Sequence, residues 1–177
     1  DGSTCGNPPP DDFTFNQSTQ QAAYFFVEVT INGNPIESND WVGAFNGDIC
    51  VGARQWNINE CGNNICDIMV MGNDGDELTT GYIMPGEIPS FKIFDVSESE
   101  YFDALPSANI PWEHNTFPLI DTLQGGILGC TDNSACNYDD TANIDDSSCL
   151  ENDCAGDCGG DALEDNCGTC DNDPSNN

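Results

Sequence analysis

Hydrophobic positions in this chain fall in short runs, at residues 13–15, 22–31, 41–45, 49–51, 65–71, 91–94 and 116–120. Turn residues separate them. Asn32-Gly33-Asn34-Pro35, Asn46-Gly47, Gly62-Asn63-Asn64, the stretch from Asn73 to Asp76 and Pro85-Gly86 supply the left-handed or fixed φ that tight reversals need. Asn46-Gly47, between Trp41-Val42-Gly43-Ala44-Phe45 and Ile49-Cys50-Val51, predicts a type I′ hairpin with positive φ at both central positions. From Tyr24 to Ile31 the pattern passes from continuous apolar to alternating, as in a strand with one face buried throughout and the other covered only at its start. No segment carries a sustained helical stripe. About seven to nine short strands joined by polar turns predict an all-β fold, an antiparallel β-sandwich over residues 1–126.

The pattern stops near Gly125-Gly126. All three tryptophans and all nine phenylalanines precede that point, whereas Cys130 to Asn177 holds seven cysteines and thirteen acidic residues, with no lysine, arginine, valine, phenylalanine, tryptophan or methionine. Such a segment cannot fold around an apolar core and would stay disordered unless disulfides or bound cations hold it. Cysteine spacing divides it into two small modules with little regular structure, at 127–152 and 153–177, each too small to stand without staples.

Charge sharpens this reading. The formal net charge is −30 on 177 residues, and Arg54 and Lys92 are the only basic side chains apart from one histidine. Self-repulsion on that scale calls for counter-ions, with multivalent cations the natural partner. It argues against nucleic acid and anionic membranes, which require a basic face. Eleven cysteines in a small acidic chain indicate an oxidising compartment, so an extracellular or cell-surface location is expected. No apolar run approaches the roughly 20 residues of a membrane span. The start at Asp1, without methionine or signal peptide, is expected of a mature or excised piece.

In Asp139-Asp140-Thr141-Ala142-Asn143-Ile144-Asp145-Asp146, oxygen-bearing side chains recur at every second position, and further acids lie at Asp132, Asp140 and Asp146. Calcium takes six to eight oxygens at flexible geometry, and alternating Asp/Asn side chains in a short loop can supply several. This is not an EF-hand, because Ile144 stands where its glycine belongs and Leu150 where its glutamate belongs. The alternative is a solvated acidic loop that attracts ions diffusely. Asn73, Asp74, Asp76 and Glu77 offer a second candidate cluster, with a polar hairpin turn as the simpler reading.

The segment from Gly129-Cys130-Thr131-Asp132 through Asp145-Asp146-Ser147-Ser148-Cys149 resembles a short acidic repeat of large secreted bacterial surface proteins of the Bacteroidota type. Asp153-Cys154-Ala155-Gly156-Asp157-Cys158 through Asp165-Asn166-Cys167-Gly168-Thr169-Cys170 resembles the repeat that often follows it. Both are similar to thrombospondin type-3 repeats, which wrap calcium with aspartates and pin the chain with disulfides. That resemblance implies calcium ligation by Asp132, Asp139, Asn143, Asp145 and Asp146, and by Asp157, Asp161, Asp165, Asp171 and Asp173. Asp40-Trp41-Val42-Gly43-Ala44-Phe45 with Cys50-Val51-Gly52, Gly72-Asn73-Asp74 and Pro85-Gly86-Glu87 resemble a β-sandwich module of the same secreted proteins, which carries no catalytic residues to transfer.

All eleven cysteines are candidate disulfide partners: Cys5, Cys50, Cys61 and Cys66 in the first part, and Cys130, Cys136, Cys149, Cys154, Cys158, Cys167 and Cys170 in the second. Cys61 and Cys66 flank a short loop and can close it, which would leave Cys50 for Cys5. Connectivity is otherwise open. Seven cannot pair among themselves; the resemblance to the second repeat implies a further cysteine just past Asn177, and a bond to another chain is the alternative. Asp1-Gly2-Ser3-Thr4-Cys5 resembles the close of the acidic repeat, so the chain reads as one period of a tandem or polymeric protein.

Signals for catalysis are scarce. His114 is the only histidine and has no glycine-flanked serine nucleophile to serve. Cys167-Gly168-Thr169-Cys170 has zinc-like spacing but belongs to an oxidising, odd-numbered set. Nothing singles out an acid pair for glycoside hydrolysis. Trp41, Trp56 and Trp112 are read as core residues, Trp41 above all. Were they exposed, they could stack on sugar rings. Asn16-Gln17-Ser18 is an N-glycosylation pattern, and Asp121-Thr122-Leu123 and Asp140-Thr141-Ala142 resemble an O-glycosylation motif of Bacteroidota. The expected function is a non-enzymatic extracellular structural subunit that self-associates into a filament or surface layer and is ordered by calcium and disulfides. A carbohydrate-binding or adhesive module is the second reading.

Overall fold

The computed structural model describes residues 8–166 and 168–171. It divides into two compact units, Asp1–Gly126 and Ile127–Asn177.

The first unit is all-β, built from β1 (Gln21–Ile31), β2 (Asn34–Pro35), β3 (Trp41–Asn46), β4 (Ile49–Gln55), β5 (Cys66–Met71), β6 (Ser90–Asp95), β7 (Glu100–Pro106) and β8 (Leu119–Gly126). Hydrogen bonds join all eight strands into one sheet, in the order β2-β1-β8-β7-β6-β3-β4, with β5 also on β1. β5 pairs with the first half of β1 (Ala22↔Val70, Phe26↔Cys66) and β2 with its end (Thr30↔Pro35). Two separate facing sheets are therefore not what the ladder forms. Nor is it wholly antiparallel, because β1 and β8 run parallel with Phe26 opposite Ile120 and Val29 opposite Leu123.

The sheet curls until β4 and β5 approach. Gly52 of β4 lies so close to the Met69 carbonyl of β5 that any Cβ there would collide with it. Across the same gap the Arg54 guanidinium pairs with the Asp67 carboxylate and donates to the Asp67 carbonyl at 3.1 Å. The other basic side chain is used similarly, Lys92 of β6 meeting Asp103 of β7 at 3.0 Å.

Side-chain parity shows where the curl is made. Ala22, Tyr24 and Phe26 face the main core, and then Val29 and Ile31 do. The inward phase thus switches at Val27-Glu28, both exposed, and in parallel β8 it switches between Ile120 and Leu123. This replaces the expected reading of one face buried throughout: the strand bends and exchanges its faces. The concave core includes Val42, Val51, Ile68, Val70, Ile83, Phe91, Ile93 and Trp112, with Phe26 set edge-on to Phe91 at 5.2 Å between centroids. A smaller cluster of Phe13, Phe45 and Cys50 lies apart from it, bordered by Trp41 and Phe94. Phe13 comes from a 3-10 turn at Asp11–Phe13 rather than from a strand.

Turn chemistry departs from expectation in one place. The β3–β4 loop is Gly47-Asp48, with Asn46 already paired to Ile49, and only Gly47 has positive φ (59°). Positive φ at the first central position alone is the II′ pattern. The I′ pattern falls instead on Asn32-Gly33, with φ of 51° and 77°, between β1 and β2.

The second unit has almost no core. Only Cys130 and Ala162 are buried among its described residues. Its regular structure is a parallel pair of β9 (Leu128–Gly129) with β10 (Ile144–Asp145) and an antiparallel pair of β11 (Leu163–Glu164) with β12 (Cys170–Asp171). Disulfides Cys130–Cys149, Cys136–Cys158 and Cys154–Cys170 interleave along it. Cys136–Cys158 joins the 127–152 and 153–177 segments, so along the chain each disulfide loop overlaps the next.

Candidate functional site

The chemistry singled out in the sequence lies mostly in the acidic second unit, where the aspartates act first on the backbone. Asp132 Oδ1 accepts from the Ser134 N–H at 2.8 Å and hydroxyl at 2.7 Å, and Asp139 Oδ1 accepts from the Thr141 N–H at 2.9 Å and hydroxyl at 2.7 Å. Asp145 accepts from Ser147 N–H and Asp146 from Ser148 N–H. These are Asx turns, local bonds that let a chain without a core hold its reversals. The Ser134, Thr141 and Ser148 hydroxyls, followed by the N–H groups of the same residues, hold the carboxyls of Asp132, Asp139 and Asp146 below the usual aspartate range.

Asn143 Oδ1 accepts from Ile127 N–H at 3.0 Å. It ties the middle of the acidic loop back to the start of the unit.

The hub of the following segment is Asp153, which sequence reasoning missed. Its Oδ1 accepts from the N–H groups of Asp157 (2.8 Å) and Ala155 (3.0 Å), and its Oδ2 from that of Ala162 (3.2 Å). The Asp157 N–H leads the group of bonds that lowers its pKa. Gly160 is required beside it, since a Cβ there would run into the Asp153 carboxylate. The same loop recurs at Asp165: Asp153 N–H donates to Asp157 O at 3.0 Å and Asp165 N–H to Thr169 O at 2.8 Å, while Gly156 (φ 90°) and Gly168 (φ 82°) take the left-handed position before closure. The signal lay in the shared pattern of Asp153-Cys154-Ala155-Gly156-Asp157-Cys158 and Asp165-Asn166-Cys167-Gly168-Thr169-Cys170. An acceptor side chain precedes a glycine by three residues and a cysteine by five.

The donors have the chemistry of a calcium site, but among the described residues no three Asp, Glu, His or Cys side chains converge as a group that could hold a metal. Asp132, Asp139, Asp145, Asp146 and Asp165 each have an oxygen on a backbone N–H. Asp157 and Asp161 are exposed, Asp171 lies in β12, and Asp173 falls outside the described residues. In the first unit Asp74 is occupied by its own loop and by Thr19, which precedes β1. Its oxygens accept from Thr19 N–H (2.9 Å), the Thr79 hydroxyl (2.7 Å) and Asp76 N–H (3.2 Å), bonds that lower its pKa, the Thr19 N–H foremost. Asn73 accepts from Gly75 N–H and Asp76 from Leu78 N–H, while Glu77 opens a 3-10 turn. That cluster is a folded polar turn.

Cysteines divide three ways. Cys61–Cys66 closes the loop after β4, and three bonds link six of the tail cysteines. Cys5 and Cys167 lie outside the described residues. Cys50, expected in a disulfide, is among the described residues a buried free cysteine, which β4 places in the Phe13–Phe45 cluster with Sγ 3.4 Å from Gly52 O. Burial pushes that thiol's pKa up.

Two of the three tryptophans follow expectation and one departs from it. Trp56 (5 % exposed) and Trp112 (1 %) are core residues, with Trp112 Nε1 donating to Val70 O at 3.1 Å, so neither offers a face to a sugar. Trp41, expected deepest, is only half-buried beside the smaller cluster. Exposed His114 accepts from Gln21 N–H through Nδ1 at 3.1 Å and meets Asn115 through Nε2 at 2.8 Å, so both ring nitrogens serve its turn. Asn16 is exposed, its amide donating to Leu78 O at 3.1 Å. Thr122 is half-buried in β8, and the Thr141 hydroxyl is held by Asp139.

No described helix is long and apolar enough to cross a membrane. Four disulfides are compatible with an extracellular protein. No protein-family model, no curated protein and no solved structure matches the chain.

Proposed function

We propose that this protein is a non-enzymatic extracellular structural subunit, in which the β unit is followed by a disulfide-laced acidic connector that calcium stiffens. The chain assembles with further copies into a filament or surface layer. One observation carries the reading: the second unit is organised with only Cys130 and Ala162 buried among its described residues, by three interleaved disulfides and a series of aspartate-to-backbone bonds. A segment built this way invests in shape rather than in a pocket, as a connector requires. Each disulfide contributes about 2–4 kcal/mol by restricting the unfolded chain. Calcium has a specific task in this proposal, to offset the repulsion among carboxylates that the two basic side chains, both already paired, cannot neutralise. The adhesive alternative loses the sugar platforms it would have drawn from Trp56 and Trp112, which are buried.

The test is to follow protease resistance of residues 130–177 together with particle size, before and after calcium chelation with disulfides intact. Opening of the tail and dissolution of large assemblies on chelation are expected. A monomer with an equally protected tail in both conditions would overturn the calcium-ordered polymer.

A further inference from the structure

A cavity of about 360 Å³ on the β unit is lined by Asp12, Phe45, Asp48, Lys92 and Tyr101. Its walls combine two aromatic rings with two exposed carboxylates. Tyr101 is braced from behind, packed on Phe94 at 4.6 Å and edge-on to Phe13 at 5.6 Å between centroids, yet is 39 % exposed. The wall already holds one cation: Lys92 Nζ lies 5.8 Å from the Phe45 ring centroid and 3.0 Å from Asp103. The place of an ammonium over Phe45 is thus filled from within the chain, and Asp103 neutralises it. Among the described residues Asp12 and Asp48 then have no basic partner, beside the accessible ring of Tyr101.

We infer that this cavity binds an alkylguanidinium group, the head of an arginine side chain, stacked on Tyr101 and paired with Asp12 and Asp48. A guanidinium fits because it is planar, weakly hydrated, stacks on aromatic faces and presents a fork of donors to carboxylates. The group comes from a different molecule. A second copy of this chain could offer only Arg54, which is held between β4 and β5 by Asp67 and Cys61. The site therefore recruits an arginine-bearing partner and does not depend on self-assembly.

The probe is N-acetyl-L-arginine amide, titrated into the full disulfide-bonded chain while the Tyr101 and Phe45 ring resonances are followed by NMR. Exposed ion pairs and one cation–π contact place the dissociation constant on the order of millimolar. Saturable shifts at Tyr101 are expected, weakened about tenfold in D12N/D48N and unchanged in E28Q/D121N, which removes equal charge from β1 and β8. The lysine analogue should bind more weakly. Non-saturating shifts, equal weakening in both double variants, or equal binding of the two amides would overturn the site and leave only attraction to a polyanion.

Discussion

Trp112 and Gly72 make a pair whose coupling can be worked from the structure. The indole is 1 % exposed, its Nε1 bonded to Val70 O, and its six-membered ring presses on Gly72 so closely that a Cβ there would overlap it. Gly72→Ala alone overpacks this contact and should cost about 1–3 kcal/mol. Trp112→Phe loses the hydrogen bond, worth about 0.5–1.5 kcal/mol, and opens a void where the larger ring lay, for a total of about 2–4 kcal/mol. In the double variant the smaller ring no longer reaches position 72 and the alanine methyl enters that void. The two costs should therefore sum to about 1–3 kcal/mol more than the double variant shows. Urea unfolding followed by the fluorescence of Trp41 and Trp56 reads the first unit alone, because the second contains no tryptophan. Additivity within about 0.5 kcal/mol would refute the claim that the indole, rather than the backbone, excludes a side chain at position 72.

Three further outcomes are expected. Arg54→Met removes the bridge between β4 and β5; with side chains 30 % and 28 % exposed, the loss should be about 1 kcal/mol, seen as a lower urea midpoint, and Lys should restore less than half because it cannot reach the carboxylate and carbonyl of Asp67 together. The carboxyls of Asp132, Asp139, Asp146 and Asp153 titrate below the ordinary aspartate value of 3.8, so their contribution is complete above that value and is lost as pH falls below it. Amide exchange at Ser134, Thr141, Ser148 and Asp157 should accordingly accelerate, relative to unstructured amides, only below about pH 4, and loss of protection at pH 6 would contradict it. Cys136→Ser with Cys158→Ser cuts the bond that joins the two tail segments, at a cost of about 2–4 kcal/mol, and limited proteolysis should then cleave first between residues 150 and 154.

Where the chain's own pattern was clear, the structure follows it. The runs at 22–31, 41–45, 49–51, 65–71 and 91–94 became β1, β3, β4, β5 and β6, because β-branched and aromatic residues between Asn/Gly turns leave few other local options. β7 was invisible as an apolar run. In Glu100–Pro106 only Phe102 and Ala104 are buried, and a period of two with so few apolar members is a weak signal. The Asx loops were half-legible: the aspartates stood out, but as prospective ion ligands, and Asp153 did not stand out at all. Serine or threonine two residues after an aspartate binds it locally before any ion is considered, and that pattern was present at Asp132, Asp139 and Asp146.

By itself the sequence determined the all-β character of the first part, the absence of a core after Gly126 and the need for covalent staples there, since composition alone limits what can be buried. Only the tertiary structure decided the remaining features. The single curled sheet with β1 and β8 parallel depends on pairing between residues about a hundred positions apart, which no local pattern encodes. The fates of Trp41, Trp56 and Trp112 depend on which face a bent strand or loop presents. Among the described residues the interleaved disulfides and the free thiol of Cys50 depend on which sulfurs the fold brings within bonding distance, a relation in space that spacing along the chain leaves open.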